Sequence, residues 1–381
     1  MKALALPDVA DLVGPAAAAR DWLDEERLRG RIGANLASGT TRELWKYTPL
    51  RGFLDALAGC PAQTPLPRLE HADQPGLRAV PLADLDDVDA ARVRDSINQR
   101  LEGERHPLAD LVLLRARGGW LIDVRGEPAQ ALEIHNPRHG IAPVFLRLEA
   151  GAELTVIEHH HSEGFLAQIT HADLEAGARL RHYRAALERD VAHYSLVNVH
   201  LDRDAAYELN QSLVGGKRRR ADVHVVVDGT GAQTDFAGAY LVEDGQHLDQ
   251  QLVVEHRAGH SRSRQKFHGI GAGKGRSVFN GRIHIHRGAP QSDAELSNRN
   301  LALHPDAEMN TKPELEIYTD DVRCAHGATV GQMSAEALFY LTARGIPEAE
   351  ARRLLSHGFV RECLAGPLAE MAAARFREAL S

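Results

Sequence analysis

Apolar residues along this chain follow three successive periods. Up to about residue 105 they recur at helical spacing. From 106 to about 332 they mostly alternate with polar residues, and after 333 the helical spacing returns. The pattern predicts a helical N-terminal region over 1–105, a mainly β core over 106–332 and a C-terminal helical lobe over 333–381. In the first region Pro15 opens a helix over 16–27, with Trp22, Leu23 and Leu28 as a partial apolar stripe. The segment 41–51 reads as an amphipathic connector whose Trp45 and Tyr47 pack against another element, and Pro49 stops any helix before it. Residues 52–59 form a short helical piece, 61–80 a Pro-rich linker, and 84–101 a further helix.

The β core carries an internal repeat. Leu-Glu-Ala-Gly-Ala at 148–152 recurs at 174–178, and a leucine closes each heptapeptide, at Leu154 and Leu180. Turn residues continue the series at Asp204, Gly231, Gly259 and Gly288, each ahead of an alternating segment. The strand-like runs are 111–114, 120–124, 144–148, 223–227, 252–256 and 282–286. A period just under thirty residues in strand-patterned sequence points to a β-solenoid, in which no turn buries its apolar face alone. A β-sandwich is the competing architecture.

In the lobe, Ser334 is the expected N-cap of a helix carrying Glu336, Phe339 and Tyr340, with Gly345 just past its end. Pro347 opens a second helix. Gly366-Pro367 breaks it before a third, spaced by Leu368, Met371, Phe376 and Leu380. Such a lobe either caps the open end of the solenoid or binds a partner.

The 381 residues carry a net charge of −8, with no run of like charge suited to nucleic acid. The densest basic stretch, 217–220, reads as a solvated turn. Three scattered cysteines exclude a disulfide framework, and no segment reads as a signal peptide or membrane span. A cytoplasmic, reducing location is expected, with neither nucleic acid nor membrane as partner.

The stretch 313–331 concentrates the chemistry. Cys324 and His326 stand two apart, so a strand directs thiol and imidazole to one face. Soft sulfur beside imidazole suits zinc, copper or iron–sulfur ligation, though a buried cysteine is as easily a packing residue. Two ligands are half a site; the rest must come from elsewhere, another subunit included.

Other motifs are rejected. The stretch 269–275 fails as a phosphate loop, because His268 and Gly275 stand where Gly and Ser or Thr are needed. His284 and His286 share a strand face as in cupin metal sites, but no carboxylate follows them. In His159-His160-His161, alternation sets the outer two on one face and His160 on the other. No nucleophile–base–orienter set can be assembled. A polysaccharide-active solenoid predicts a groove rich in aromatics, against which the 5 % aromatic content speaks.

Glu43-Leu-Trp-Lys-Tyr-Thr-Pro-Leu-Arg51 resembles the N-terminal signature of the SufD branch of the SufB/SufD family. The stretches 316–331 and 338–346 resemble its C-terminal signature. The resemblance implies a non-catalytic scaffold of the SufBCD iron–sulfur cluster assembly complex, built as a right-handed parallel β-helix. It implies SufB pairing through the β-helix and the ATPase SufC on the C-terminal lobe, around Phe339, Tyr340, Arg344 and Gly345. A complex of one SufB, two SufC and one SufD follows. An exposed pairing edge leaves self-association into a homodimer open to the isolated chain when SufB is absent. A transient cluster at the SufB interface would be held by His326, with Cys324 as secondary ligand, and no cofactor is expected in the isolated chain. SufB-type chains carry a cysteine ahead of the Pro-x-Leu/Ile-Glu-Ile strand. Here 304–311 contains none, a departure that favours SufD over SufB.

Overall fold

The structure is a computed structural model that describes residues 20–61, 64–161 and 163–380. Its core is a flattened solenoid of about eight turns, each contributing one strand to each of two facing sheets. The strands pair in parallel with their neighbours one turn away. Alternation decides the packing. Val197, Val199, Val223, Val225, Leu252 and Val254 point into the space between the sheets and fill one continuous apolar core.

The repeat appears as a column of corner residues in left-handed backbone conformation. Gly151 and Gly177 have φ of 72° and 71°, followed by Asp204 at 60° and Gly231 at 79°. Each donates its N–H to the next turn, as Gly151 does to Ala176 O and Gly177 to Arg203 O. Glycine and aspartate tolerate this conformation, which is why they mark the period. Beyond Gly231 the expected markers are displaced. The corner residues are His260 and Gln291, both at φ 57°, not Gly259 and Gly288. Gly259 serves close approach instead, since a Cβ there would collide with Pro290 O.

One end of the solenoid is closed by the chain itself. Arg68–Glu70 and Leu77–Pro81 add antiparallel to Leu132–His135 and Trp120–Val124. The expected linker 61–80 therefore contains strands, because its apolar residues find open sheet edges. Helices Glu25–Ala37, Arg51–Ala58, Asp87–Arg100 and Pro107–Arg115 cover the outer face of one sheet, with Leu28, Phe53, Val93 and Leu111 against Phe145, Phe165 and Leu196. The apolar run 111–114 is thus helical rather than a strand. Pro107 starts that helix and its neighbours bury it on all sides, a case that periodicity cannot resolve. Of the helix expected over 16–27, residues 16–19 lie outside the described residues. Trp22 and Leu23 sit in a turn, and Asp24 caps the helix by accepting from Arg27 N at 3.0 Å. Trp45 packs as expected, its ring 4.1 Å beneath the Arg220 guanidinium and beside Phe53 and Tyr194.

The basic stretch 217–220 is not a solvated turn. Arg219 and Arg220 are fully buried on a strand, where Arg219 meets Glu188 and Arg220 meets Asp222 and Asp249. The lobe does not cap the open end. Helices Glu348–Arg361 and Ala369–Ala379 lie on the outer face of the other sheet, with Val360, Ala372 and Phe376 against Val214, Leu241 and Ile270. His268 Nδ1 lies 2.6 Å from Phe359 O and its ring stacks on Phe359, fixing the lobe in place.

Candidate functional site at the open end of the solenoid

The last strand of each sheet is an edge. Glu308–Ile317 pairs inward with Arg276–Ile285, and Val322–Gly331 pairs inward with Ser292–Ala302. Among the described residues no strand pairs with their outer sides. The corner between them is built by Asp320-Asp321, where Gln291 N donates to Asp321 O and Val322 N to Asp320 O.

Register fixes where the side chains point. Cys324 lies beside Ala294 and His326 beside Leu296, both of which face the core at 1 % exposure. Paired residues of in-register parallel strands share a face. Cys324 and His326 therefore face the inside of the solenoid at its last turn, where no further turn covers them. Leu315 and Ile317 face the same space, beside Ile283 and Ile285 of the preceding turn. Ile317, Tyr318 and Val330 are left 40 %, 55 % and 50 % exposed. An apolar interior, two unpaired backbone edges, one imidazole and one thiol thus meet on a single surface.

Cys324 is half-buried and His326 exposed. Burial, with the Asp293 carboxylate, pushes the Cys324 thiol up. It is protonated at neutral pH, and ligation by it must release a proton. Four groups of three His, Asp or Glu side chains within 4.8 Å occur among the described residues, and neither Cys324 nor His326 belongs to one. The pair offers two donors and no more.

The segment 43–51 meets the opposite side of this end. Lys312 Nζ, on the edge strand, lies 3.4 Å from Glu43 Oε1 and 2.7 Å from Glu314 Oε1. Thr48 Oγ1 lies 2.7 Å from His247 Nε2.

In the lobe, helix Ala335–Thr342 buries none of its residues. Phe339 is 72 % and Tyr340 56 % exposed, and the Arg344 guanidinium lies 3.5 Å from the Tyr340 ring centre. Ser334 caps the helix as expected, and Gly345 follows it at φ 84°. Adjacent exposed aromatics over an arginine form an apolar patch on a lobe that is otherwise anchored to the sheet.

Two histidine motifs change meaning. His284 and His286 stack at 3.9 Å, and the missing carboxylate arrives from the neighbouring turn: Glu255 Oε2 lies 3.3 Å from His286 Nε2. That carboxylate is already engaged by Arg257 and His224, and the parallel ladders are not a cupin barrel. Of the triplet, His160 is buried, while His159 and His161 share the outer face. Sequence reading also missed a buried network in which Glu158 accepts from Arg184 Nε at 2.6 Å and lies 3.0 Å from His182 Nε2. Glu158 and Arg184 stand 26 residues apart, the offset between the repeats at 148–154 and 174–180, and pair in register on neighbouring turns.

Comparison with known proteins bears on this surface. Residues 135–359 match the family described as SUF system FeS cluster assembly, SufBD core domain. The iron–sulfur cluster assembly protein SufD of Escherichia coli is 31 % identical over 350 residues, 84 % of this chain and 83 % of that protein. A chloroplastic protein of Arabidopsis thaliana, ABCI7, is 32 % identical over 244 residues, 62 % of this chain and 50 % of that protein. An iron–sulfur cluster assembly SufBD family protein of Mycobacterium tuberculosis is 29 % identical over 344 residues, 85 % of this chain and 83 % of that protein.

Proposed function

This chain belongs to the SufBD family of iron–sulfur cluster assembly proteins, and from that membership we propose that it is a SufD-type, non-catalytic scaffold whose open end pairs with SufB around a nascent cluster. The observation that carries the proposal is the last turn of the solenoid. Among the described residues its two edges are unpaired and its apolar interior is uncovered, and His326 and Cys324 stand in that interior. A second solenoid end would satisfy both edges and bury the apolar residues. It would also bring ligands to complete the half-site. The cluster is cargo: a neutral imidazole and one thiolate hold iron less firmly than four thiolates, which favours release. Without SufB, a second copy of this chain is the natural occupant.

The exposed Phe339–Tyr340–Arg344 patch, closed by Gly345, is proposed to dock SufC. ATP-dependent association of SufC would act through the lobe only if it binds one arrangement of the two scaffolds better than another. SufC rather than this chain would hydrolyse ATP, and the complex would work in the cytoplasm. Deleting the chain after Gln332 is expected to abolish co-elution with SufC; a truncated chain that still co-elutes overturns the docking assignment.

The decisive experiment measures iron and acid-labile sulfide in the co-expressed complex, with assembly checked by gel filtration. His326→Ala is expected to assemble and to lose most of both. An intact complex that keeps its full iron and sulfide makes His326 a structural residue and moves the chemistry elsewhere.

A further inference from the structure

At the opposite end of the solenoid, five side chains from three strands converge on the outer face. Glu70 comes from the antiparallel closing strand Arg68–Glu70. Glu133 and His135 come from Leu132–His135 in the first turn. His159 ends the strand Glu153–His159 of the second turn, and His161 follows it. Glu70, Glu133 and His135 offer donor atoms within 4.8 Å of one another, and so do His135, His159 and His161. The two groups share His135. They are bridged by His159 Nε2, 3.1 Å from Glu133 Oε2.

His159 Nε2 and Glu133 Oε2 are within hydrogen-bond distance, whereas the contacts of His135 are longer. His135 Nε2 lies 3.6 Å from Glu133 Oε2 and 3.6 Å from Glu70 Oε1, and it is a buried nitrogen with no hydrogen-bond partner. That is long for a hydrogen bond. Donors about 2.1 Å from a tetrahedral ion are separated by about 3.4 Å, so the spacing fits atoms sharing a cation. The rings of His135 and His159 are stacked at 4.5 Å and those of His159 and His161 at 6.2 Å, so ligation of one ion by two of them requires a ring to turn out of the stack. Among the described residues Glu133 pairs with no arginine or lysine, whereas Glu255 beside His284 and His286 is held by Arg257. Glu70 is partly neutralised by Arg68 and stands at the rim.

We propose that His135, His159 and Glu133, with Glu70 and His161 at the rim, form a binding site for a divalent first-row transition metal that prefers imidazole and carboxylate, such as zinc. The site is distinct from the half-site at the open end. A bound ion would join the closing strand to the first two turns and so staple the closed end.

The test titrates the full-length, chelator-treated chain with zinc chloride and follows thermal unfolding in parallel. One equivalent is expected to bind and to raise the unfolding temperature, since an ion that binds only the folded chain stabilises it. His135→Ala/His159→Ala is expected to lose more than the about 10- to 100-fold typical of an outer-shell change. His284→Ala/His286→Ala is expected to bind as the parent does. Glu133→Gln, which leaves the backbone pairing intact, is expected to bind at least about 10-fold more weakly and to lose the thermal shift. It decides the matter if the double variant does not fold. A parent chain whose zinc is lost on gel filtration overturns the proposal, as does a Glu133→Gln chain of unchanged affinity and thermal shift.

Discussion

The two ends of the solenoid face the same physical problem and solve it differently. Each presents strands whose outer backbone groups have no ladder partner and a row of inward apolar side chains. At the first turn the chain answers from its own length: two antiparallel strands pair with its edges, and the inward Ile122, Val124 and Leu132 are completely buried. At the last turn Ile317, Tyr318 and Val330 stay exposed, and the lobe that follows runs along the side of the solenoid instead of across its end. An unprotected edge is a liability that natural chains normally blunt. The pairing proposed for the open end would answer that liability there, as the two antiparallel strands do at the first turn.

The largest expected effect separates the ends by stability. Ile122→Ala, at a fully buried position of the first turn, is expected to destabilise the isolated chain by about 2–5 kcal/mol. Ile317→Ala at the open end is expected to change it by less than about 1 kcal/mol. Urea unfolding of both variants makes the comparison, and equal losses would mean that the open end is packed in the isolated chain.

Assembly should reverse the ranking. Ile317→Asp with Val330→Asp places charge on inward, uncovered positions and should weaken pairing with SufB, or self-association, by about 100-fold or ~3 kcal/mol. The unfolding midpoint of the isolated chain should barely move. Sedimentation at several concentrations reads the effect, and unchanged association would place the interface elsewhere.

Acid should act on the interior and spare the distinction between the ends. Burial lowers His160 from 6.5 to about 3 and His256 to about 4. The unfolded chain therefore binds more protons than the folded one between those values and 6.5. The stability these groups contribute is complete above about pH 6.5 and falls as pH drops towards 3, by on the order of a few kcal/mol. Glu158 adds to this at lower pH. Burial drives it up, but Arg184, His160 and His182 together hold it well below 4.5, so its contribution is complete above that value and falls progressively as the pH drops below it towards the lower folded pKa. Urea midpoints from pH 7 to pH 4 should fall equally in the parent and in the Ile317→Asp/Val330→Asp chain.

Much of the architecture was legible because it rests on local chemistry. The Gly151 and Gly177 corners need left-handed backbone, the alternating valines need two facing sheets, and Ser334 and Pro347 mark helix starts. The signal failed where partners are distant. The segment 61–80 shows no strong strand pattern, yet two parts of it pair with edges far along the chain. The run 111–114 is apolar on every side because the helix is wrapped on every side. Arg219 and Arg220 read as solvated charges, and only the neighbouring turns reveal the acids that allow their burial.

For the candidate site the division is similar. The spacing of Cys324 and His326 by itself set them on one strand face, because side chains alternate along any strand. That the face is the inner one, that it belongs to the last turn, and that nothing among the described residues covers it came from the register against Ala294 and Leu296. The sequence likewise determined that His159 and His161 point together. Only the stacking of successive turns brought His135, Glu133 and Glu70 to them, and Glu255 to His286. A solenoid converts separations of 24 residues, as between His135 and His159, to 29, as between Glu255 and His284, into strand neighbours roughly 5 Å apart, and because the turns differ in length the repeat alone does not say which side chains the stacking joins.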